Sequence, residues 1–183
     1  MQCQKGEIMA KVLNYGMVGG GPDAFIGDAH RRAISLDESA RLVAGVFSRN
    51  AEKSKKMGEV LHIEEERCYK DYETMALEEA KREDGIDFVV VVTPNASHYE
   101  ICKAFLNAGI HVVCDKPVTT TYEKAVELQK LAEEKSLLFM VTYTYMGHVT
   151  AKYARDLIAS GAIGDVRAVM AEYPQGWLAF EDN

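Results

Sequence analysis

A doubly wound α/β fold on a parallel sheet is predicted for this chain, and three observations predict it. Asp87–Thr93 reads DFVVVVT, a nearly continuous β-branched run of the kind covered on both faces in a parallel sheet. Strand-like and helix-like segments alternate from Val12 to Thr142, the order that lays helices on both sides of such a sheet. Gly19-Gly20-Gly21 follows the first strand directly, where the chain must turn into a helix.

Each element has its own signal. Val12–Val18 is apolar and ends in the glycines, a strand feeding a turn, and Ile26–Leu36 is the helix after it. Arg41–Phe47 is the second strand and Ala51–Glu59 a short helix. Arg67–Tyr69 is taken as a small third strand before the helix Tyr72–Lys81. Pro94-Asn95 breaks the run at 87–93, and His98–Asn107 is helical with Gly109 as its stop. His111–Cys114 is a strand running into Asp115-Lys116-Pro117, Tyr122–Lys135 a long helix with cap candidates at Thr119–Thr121, and Leu137–Thr142 the last strand of the series. Right-handed crossovers would then gather the strand ends, and any ligand, along one edge.

After Tyr143 the pattern changes. Val149–Ser160 reads as an amphipathic helix closed by Gly161, and Val166–Tyr173 as a strand, followed by Pro174-Gln175-Gly176-Trp177. The expected organisation is a dinucleotide-binding domain over residues 10–143. Residues 144–183 are then the connecting helix and first strand of a second, α+β domain whose remainder is absent. Val166–Tyr173 would be a sticky, poorly covered edge.

Composition narrows the function. The chain has 183 residues, 48% hydrophobic and 27% charged, ordinary values for a globular protein. A net charge of −7 argues against nucleic acid as a partner, since phosphate backbones need clustered Lys and Arg. It leaves a dinucleotide open, because that ligand is held locally by backbone N–H groups at a helix start. The longest apolar runs are too short to span a membrane, and Met1–Lys11 lacks the apolar stretch of a secretory signal. Met9 is an alternative start. The four cysteines have no metal-ligand spacing, so no metal is expected and reduced thiols in a cytoplasmic protein are the simplest reading.

Two stretches carry chemistry. A dinucleotide turn needs glycine because it bends sharply and lets a pyrophosphate approach the backbone, with a helix N-terminus facing the charge. Gly19, Gly20 and Gly21 fit this Rossmann-type turn, although the next glycine, Gly27, arrives later than the usual GxGxxG spacing allows. A glycine-rich turn without a ligand is the bland alternative. About 20 residues beyond the third glycine such domains carry an acid for the ribose 2′-OH. Here the text is Phe47-Ser48-Arg49-Asn50, with no acid. Ser48 can bond a hydroxyl or a 2′-phosphate, and Arg49 can pair with that phosphate or stack on adenine, which leans towards NADP over NAD. A solvated loop arginine stays open as the alternative. The second stretch is Asp115-Lys116-Pro117 at the C-terminal end of a buried strand. A lysine there can donate to a substrate oxygen and help relay a proton, and Pro117 fixes the backbone and is compatible with a cis peptide. Taken alone, Lys-Pro at a strand end is more often a surface turn.

Together, the glycine turn with His30 behind it, Thr93-Pro94-Asn95 with His98, and Cys114-Asp115-Lys116-Pro117 resemble the Gfo/Idh/MocA family of glucose–fructose oxidoreductases and inositol dehydrogenases. Arg155-Asp156-Leu157-Ile158 and Ser160-Gly161-Ala162-Ile163-Gly164 extend the resemblance, which covers about residues 11–180. The family's Glu-Lys-Pro motif stands here as Asp-Lys-Pro, and the long turn GGGPDAFIGDAHR resembles one branch of the family.

The resemblance implies hydride transfer between a nicotinamide cofactor, NAD or NADP, and a secondary alcohol or ketone of a sugar or cyclic polyol. It implies Lys116 as the catalytic lysine and a further cofactor contact. Gly19, Gly20, Gly21, Phe25 and Ile26 would line the pyrophosphate turn, and Ser48 and Arg49 would meet the adenosine ribose. Thr93, Pro94, Asn95 and His98 would flank the cofactor, Asp115 would lie near the nicotinamide ribose, and Tyr145, Gly147 and His148 would pass the substrate pocket. It also implies a homo-oligomer in the full-length protein, and a second domain whose Asp and His act on the reacting hydroxyl. No residue of this chain is assigned to that pair, so the chain alone is expected to bind cofactor and turn over slowly or not at all. From the residues themselves, His30 and His98 read as packing groups, Tyr143 and Tyr145 as possible core aromatics, and His148 as either a substrate contact or a plain helix-start residue. The rival functions are a catalytically inactive dinucleotide sensor and a structural α/β domain.

Overall fold

A computed structural model describes residues 11–22 and 24–176. Met9 and Trp177, on which the sequence raised questions, lie outside the described residues. The chain divides into two units, one ending at Thr142 and the other beginning at Tyr143.

The first unit is a parallel sheet of strands β1 (Leu13–Gly19), β2 (Ala40–Val46), β3 (Phe88–Val92), β4 (His111–Cys114) and β5 (Phe139–Val141), in the order β2-β1-β3-β4-β5. The chain therefore starts mid-sheet, steps outward to β2, and crosses back past β1 to β3. That reversal between β1 and β3 is where an open α/β sheet leaves a crevice beyond its strand ends. Helices α1 (Phe25–Ser35), α2 (Ala51–Val60), α3 (Tyr72–Glu79), α4 (His98–Asn107) and α5 (Tyr122–Glu134) make the crossovers.

The β-branched run at β3 behaves as its composition demands. Val89 and Val91 enter one core cluster with Met75, Phe105, Leu106 and Leu128. Val90 and Val92 enter the other, with Tyr15, Met17, Phe47 and Ile63. All four valines are at most 5% exposed, so one strand anchors helices on both faces. Local chemistry sets the helix ends. Asn50, Asp71 and Thr121 accept hydrogen bonds from the amides of Lys53, Thr74 and Lys124 and so cap α2, α3 and α5. Gly109, at φ 84°, ends α4.

Two expected strands are corrected. Arg67–Tyr69 does not form a strand: Glu65–Arg67 is a 3-10 turn, and only a single parallel bridge, Gly45 to Cys68, continues the sheet beyond β2. The Arg67 side chain explains this, because it turns inward to Glu79 rather than lying along an edge. Val166–Tyr173 also carries no strand. A strand requires a ladder partner, and among the described residues none pairs with it; Val169 and Met170 are 81% and 96% exposed. The second unit holds a short 3-10 turn (Thr144–Gly147) and α6 (Val149–Ala159), whose Val149, Tyr153 and Ile158 stay exposed, with Gly161 past its end at φ 72°.

Arg67 and Glu79 form a buried ion pair, both side chains nearly inaccessible, and the Tyr69 hydroxyl donates to the same carboxylate at 2.8 Å. Burial and the Glu79 carboxylate push the Tyr69 pKa well up, which keeps that hydroxyl a donor. This pair pins the segment between the bridge and α3. Removing one partner leaves a buried charge uncompensated. Glu79→Ala is expected to cost about 3–5 kcal/mol, a fall in Tm of roughly 10 °C for a chain of this size. A thermal melt within about 2 °C of the parent, less than one kcal/mol on that scale, would contradict the assignment.

Candidate functional site

The glycine turn owes its shape to steric exclusion. Gly19 and Gly20 have φ of 93° and 71°, a region that side chains disfavour. Gly27, buried in the first turn of α1, packs directly on Gly20; a Cβ there would stand 2.4 Å from the Gly20 Cα. Gly27 therefore serves the close-packing role of the late third glycine, three residues into the helix instead of at its opening. Arg31, one helical turn further on, donates to the Gly20 carbonyl at 3.0 Å and fixes the turn from behind. Sequence reading missed Arg31, although its i+4 spacing from Gly27 puts it on the same helix face. Ala24, the N-cap of α1, offers no side chain to cap the first amides, and the positive end of a helix is a place that receives an anion.

In front of the turn lies a cleft of about 710 Å³. Its walls are Val18–Pro22 and Ala24 from the turn, Val46–Arg49 and Lys53 from the end of β2 and the start of α2, Lys70–Tyr72 from the segment before α3, and Val92–Pro94, Ala96, Ser97 and Ile101 from the end of β3 and α4. The structure thus brings together Gly19, Gly20, Gly21, Ser48, Arg49, Thr93 and Pro94, all expected at a cofactor site. It adds Lys53, Lys70, Asp71 and Tyr72, which the sequence did not single out. Burial and the Glu73 carboxylate push the Tyr72 pKa up to about 12, so its hydroxyl stays protonated at neutral pH. Ser48 accepts from the Asn50 amide at 3.1 Å and keeps its own O–H to donate.

Other expected residues stand apart from these walls. Phe25 is 88% exposed, and Ile26 packs on the core cluster beneath α1. Their place at the helix start decides this, since successive residues point 100° apart and cannot both face the turn. Asn95 is exposed in a 3-10 turn. His98 is fully buried, with both ring nitrogens against backbone carbonyls, of Pro117 at 2.9 Å and Thr93 at 2.7 Å. It has no atom left for a cofactor and serves to join two turns.

Asp115 and Lys116 sit just past β4, which pairs with β3 through Val91 and Cys114. The Asp115 amide continues that ladder to Val91 O at 2.9 Å. Its carboxylate accepts from the Thr142 hydroxyl at 3.0 Å, and His30 Nε2 stands 3.8 Å away. Burial lowers the His30 pKa while Asp115 pulls it up. His30, expected to be a packing group, thus connects the helix of the glycine turn to the loop of Lys116. Lys116 is exposed, and the Lys116–Pro117 peptide is cis. In the second unit, Tyr145 meets the His148 ring at 5.5 Å and hydrogen-bonds the Tyr173 hydroxyl; His148 is the N-cap of α6. Among the described residues no cluster of three or more His, Cys, Asp or Glu is placed to hold a metal, and Cys68, Cys102 and Cys114 are free. No described helix is long and apolar enough to cross a membrane.

Comparison with known proteins agrees with this geometry. The model of the oxidoreductase family with an NAD-binding Rossmann fold, Gfo/Idh/MocA, matches residues 13–143. The uncharacterized oxidoreductase YfiI of Bacillus subtilis is 44% identical over 177 residues, 96% of this chain and 45% of that protein. The B. subtilis scyllo-inositol 2-dehydrogenase (NADP(+)) IolW is 34% identical over 97 residues, 53% of this chain and 27% of that one. Among solved structures, an inositol dehydrogenase homolog from Azotobacter vinelandii, crystallised with NAD+ and also with NADH and myo-inositol, superposes with a TM-score of 0.83 at 42% identity. In the NAD+ complex the match covers 86% of this chain and 41% of that one. The chain spans less than half the length of these relatives. With the sheet order, the glycine turn and the family match in agreement, the chain belongs to the Gfo/Idh/MocA oxidoreductase family and carries its NAD-binding Rossmann fold.

Proposed function

We propose that this chain holds a nicotinamide dinucleotide in the cleft beyond β1, β2 and β3. In that reading it supplies the cofactor-binding part of an enzyme that moves a hydride between that cofactor and a secondary alcohol or ketone of a sugar or cyclic polyol. The observation that carries the reading is the contact of Gly20 with Gly27, which sets an uncapped helix end over a cleft of dinucleotide size. The pyrophosphate would meet the turn at Gly19–Gly21 and the first amides of α1, and the adenosine would lie toward Ser48, Arg49 and Tyr72. The nicotinamide, when bound, supplies or accepts the hydride. Thr93 and Pro94 wall the cleft on the β3 side. Lys116 lies one strand over, where its ammonium can donate to the substrate oxygen and relay its proton, while Asp115 keeps the loop in place through Thr142. The complex of the A. vinelandii relative with NADH and myo-inositol supports the polyol class.

Relatives point both ways on the cofactor, one named for NADP and another crystallised with NAD+. We favour NADP. Among the described residues no acid lines the end of β2, and Arg49 and Lys70 stand around that end of the cleft, with Asp71 the described carboxylate there, 3.8 Å from Lys70. A 2′-phosphate complements such a set.

A thermal-shift titration with NADH and NADPH side by side tests the cofactor. Ligand at about 100 times its Kd stabilises the native state by about 2.7 kcal/mol. Both should raise Tm, NADPH more at equal concentration. A larger shift with NADH would reverse the preference, and no shift with either would refute the cofactor reading. In an enzyme that contains this chain together with its second domain, Lys116→Met should lower the cofactor-induced shift by little while oxidation of a cyclic polyol, with myo-inositol as probe, falls about 10²–10⁴-fold. A variant as active as the parent would remove Lys116 from the chemistry.

A further inference from the structure

His98 opens α4, is fully buried, and points both ring nitrogens at carbonyl oxygens. A neutral imidazole has one N–H and one lone pair. Whichever tautomer forms, one nitrogen lone pair would then face a carbonyl oxygen at 2.7 or 2.9 Å, a buried and repulsive contact. Neither oxygen can be exchanged for a donor, because both belong to the backbone. Flipping the ring only puts carbon where nitrogen is needed. The doubly protonated ring alone donates to both.

The two carbonyls belong to the turns that matter most. Thr93 begins the turn that walls the cleft; the Ser97 hydroxyl donates to Pro94 O at 2.7 Å and lies 2.8 Å from the Thr93 hydroxyl. Pro117 directly follows Lys116. We infer that His98 is held as an imidazolium and is a positioning residue, tying the turn that carries Lys116 to the turn that walls the cofactor cleft. Its consequence for catalysis rests on the function proposed above.

The surroundings of the ring favour the charge. Cys114 on β4 lies next to the ring, beside the Thr93 and Pro117 carbonyls, and its thiol donates to the Asp115 carbonyl at 3.3 Å. Burial by itself would lower the His98 pKa; Cys114 and the two carbonyls outweigh it and push it up to about 9. A folded value above that of a free imidazole means the clamp is complete below pH of about 6.5. It is lost as pH rises through about 9.

Nitrogen-15 NMR of the histidine rings in the intact chain tests the charge directly, without any cofactor. At about pH 7.5, where a free imidazole is mostly neutral, both His98 ring nitrogens should carry protons. One unprotonated nitrogen would overturn the inference. Positioning is tested with His98→Gln, which can donate to one turn but not to both. In that variant the Asp115 and Ser97 amides, one on each turn, should exchange with solvent faster than in the parent. Dinucleotide affinity should fall about tenfold, as the loss of a hydrogen bond to a charged group predicts. Unchanged exchange and affinity would overturn the positioning role. If the parent binds neither NADH nor NADPH, the proposed function fails, and the amide exchange alone decides the clamp. If His98→Gln does not fold, the same exchange in the parent decides it, read below and above the pH at which the ring loses its second proton. Protection that survives that loss would overturn the clamp.

Discussion

Contact between Gly20 and Gly27 is the constraint on which the rest of the site depends. Two backbones meet there with no room for a single methyl group. That approach presses the start of α1 onto the end of β1, and Arg31 secures it from the helix side. The sheet then decides what faces the turn. Because the strand order reverses between β1 and β3, the ends of β2 and β3 flank the glycines rather than one another. A cleft opens where the order of the described strands reverses. The sequence departs from the usual glycine spacing, yet the same physical requirement is met by a glycine three residues inside the helix.

Around this centre, buried polar groups hold the loops that hydrophobic packing cannot reach. The Arg67–Glu79 pair fixes the segment that brings Lys70, Asp71 and Tyr72 to the cleft. His98 joins the turns after β3 and β4. Thr142 and His30 hold Asp115 from β5's end and from α1. Each is a contact between elements far apart in sequence, and each fixes backbone near a functional side chain. The apolar core supplies stability; these polar contacts supply the geometry. They also explain why His98, which the resemblance sets beside a cofactor, meets only the turns it joins.

The fold was legible where local chemistry and tertiary context agree. The run at β3, the glycine turn and the capping threonine are local signals, and each appears in place. His98–Asn107 matches its helix to the residue. Expectation failed where pairing decides the outcome. Val166–Tyr173 was expected as a strand, but its residues specify no partner, and no described strand pairs with it. At Arg67–Tyr69 one buried arginine redirected the backbone and left a single bridge. In the site, the gathering of the glycines, Ser48, Arg49, Thr93 and Pro94 around one cleft was legible because they stand at strand ends. Lys70, Tyr72 and the His30–Asp115 approach were not, since each depends on a neighbour that sequence distance conceals. Phe25 and Ile26 were placed at the turn by the resemblance; the Phe25 side chain is exposed and Ile26 packs on the core.

The central claim is that the glycine contact makes the cleft a dinucleotide site, and the most direct measurement is dinucleotide binding by a chain in which that contact is blocked. Gly27→Val places two further carbons where a single Cβ already meets Gly20 at 2.4 Å. Titrated with NADPH by fluorescence or calorimetry, a Gly27→Val chain whose circular dichroism matches the parent should bind at least about 100-fold more weakly, the loss expected when roughly 2.7 kcal/mol of phosphate contacts are misplaced. Binding equal to that of the parent would contradict the account, because the cleft would then hold its ligand without the turn that is claimed to shape it.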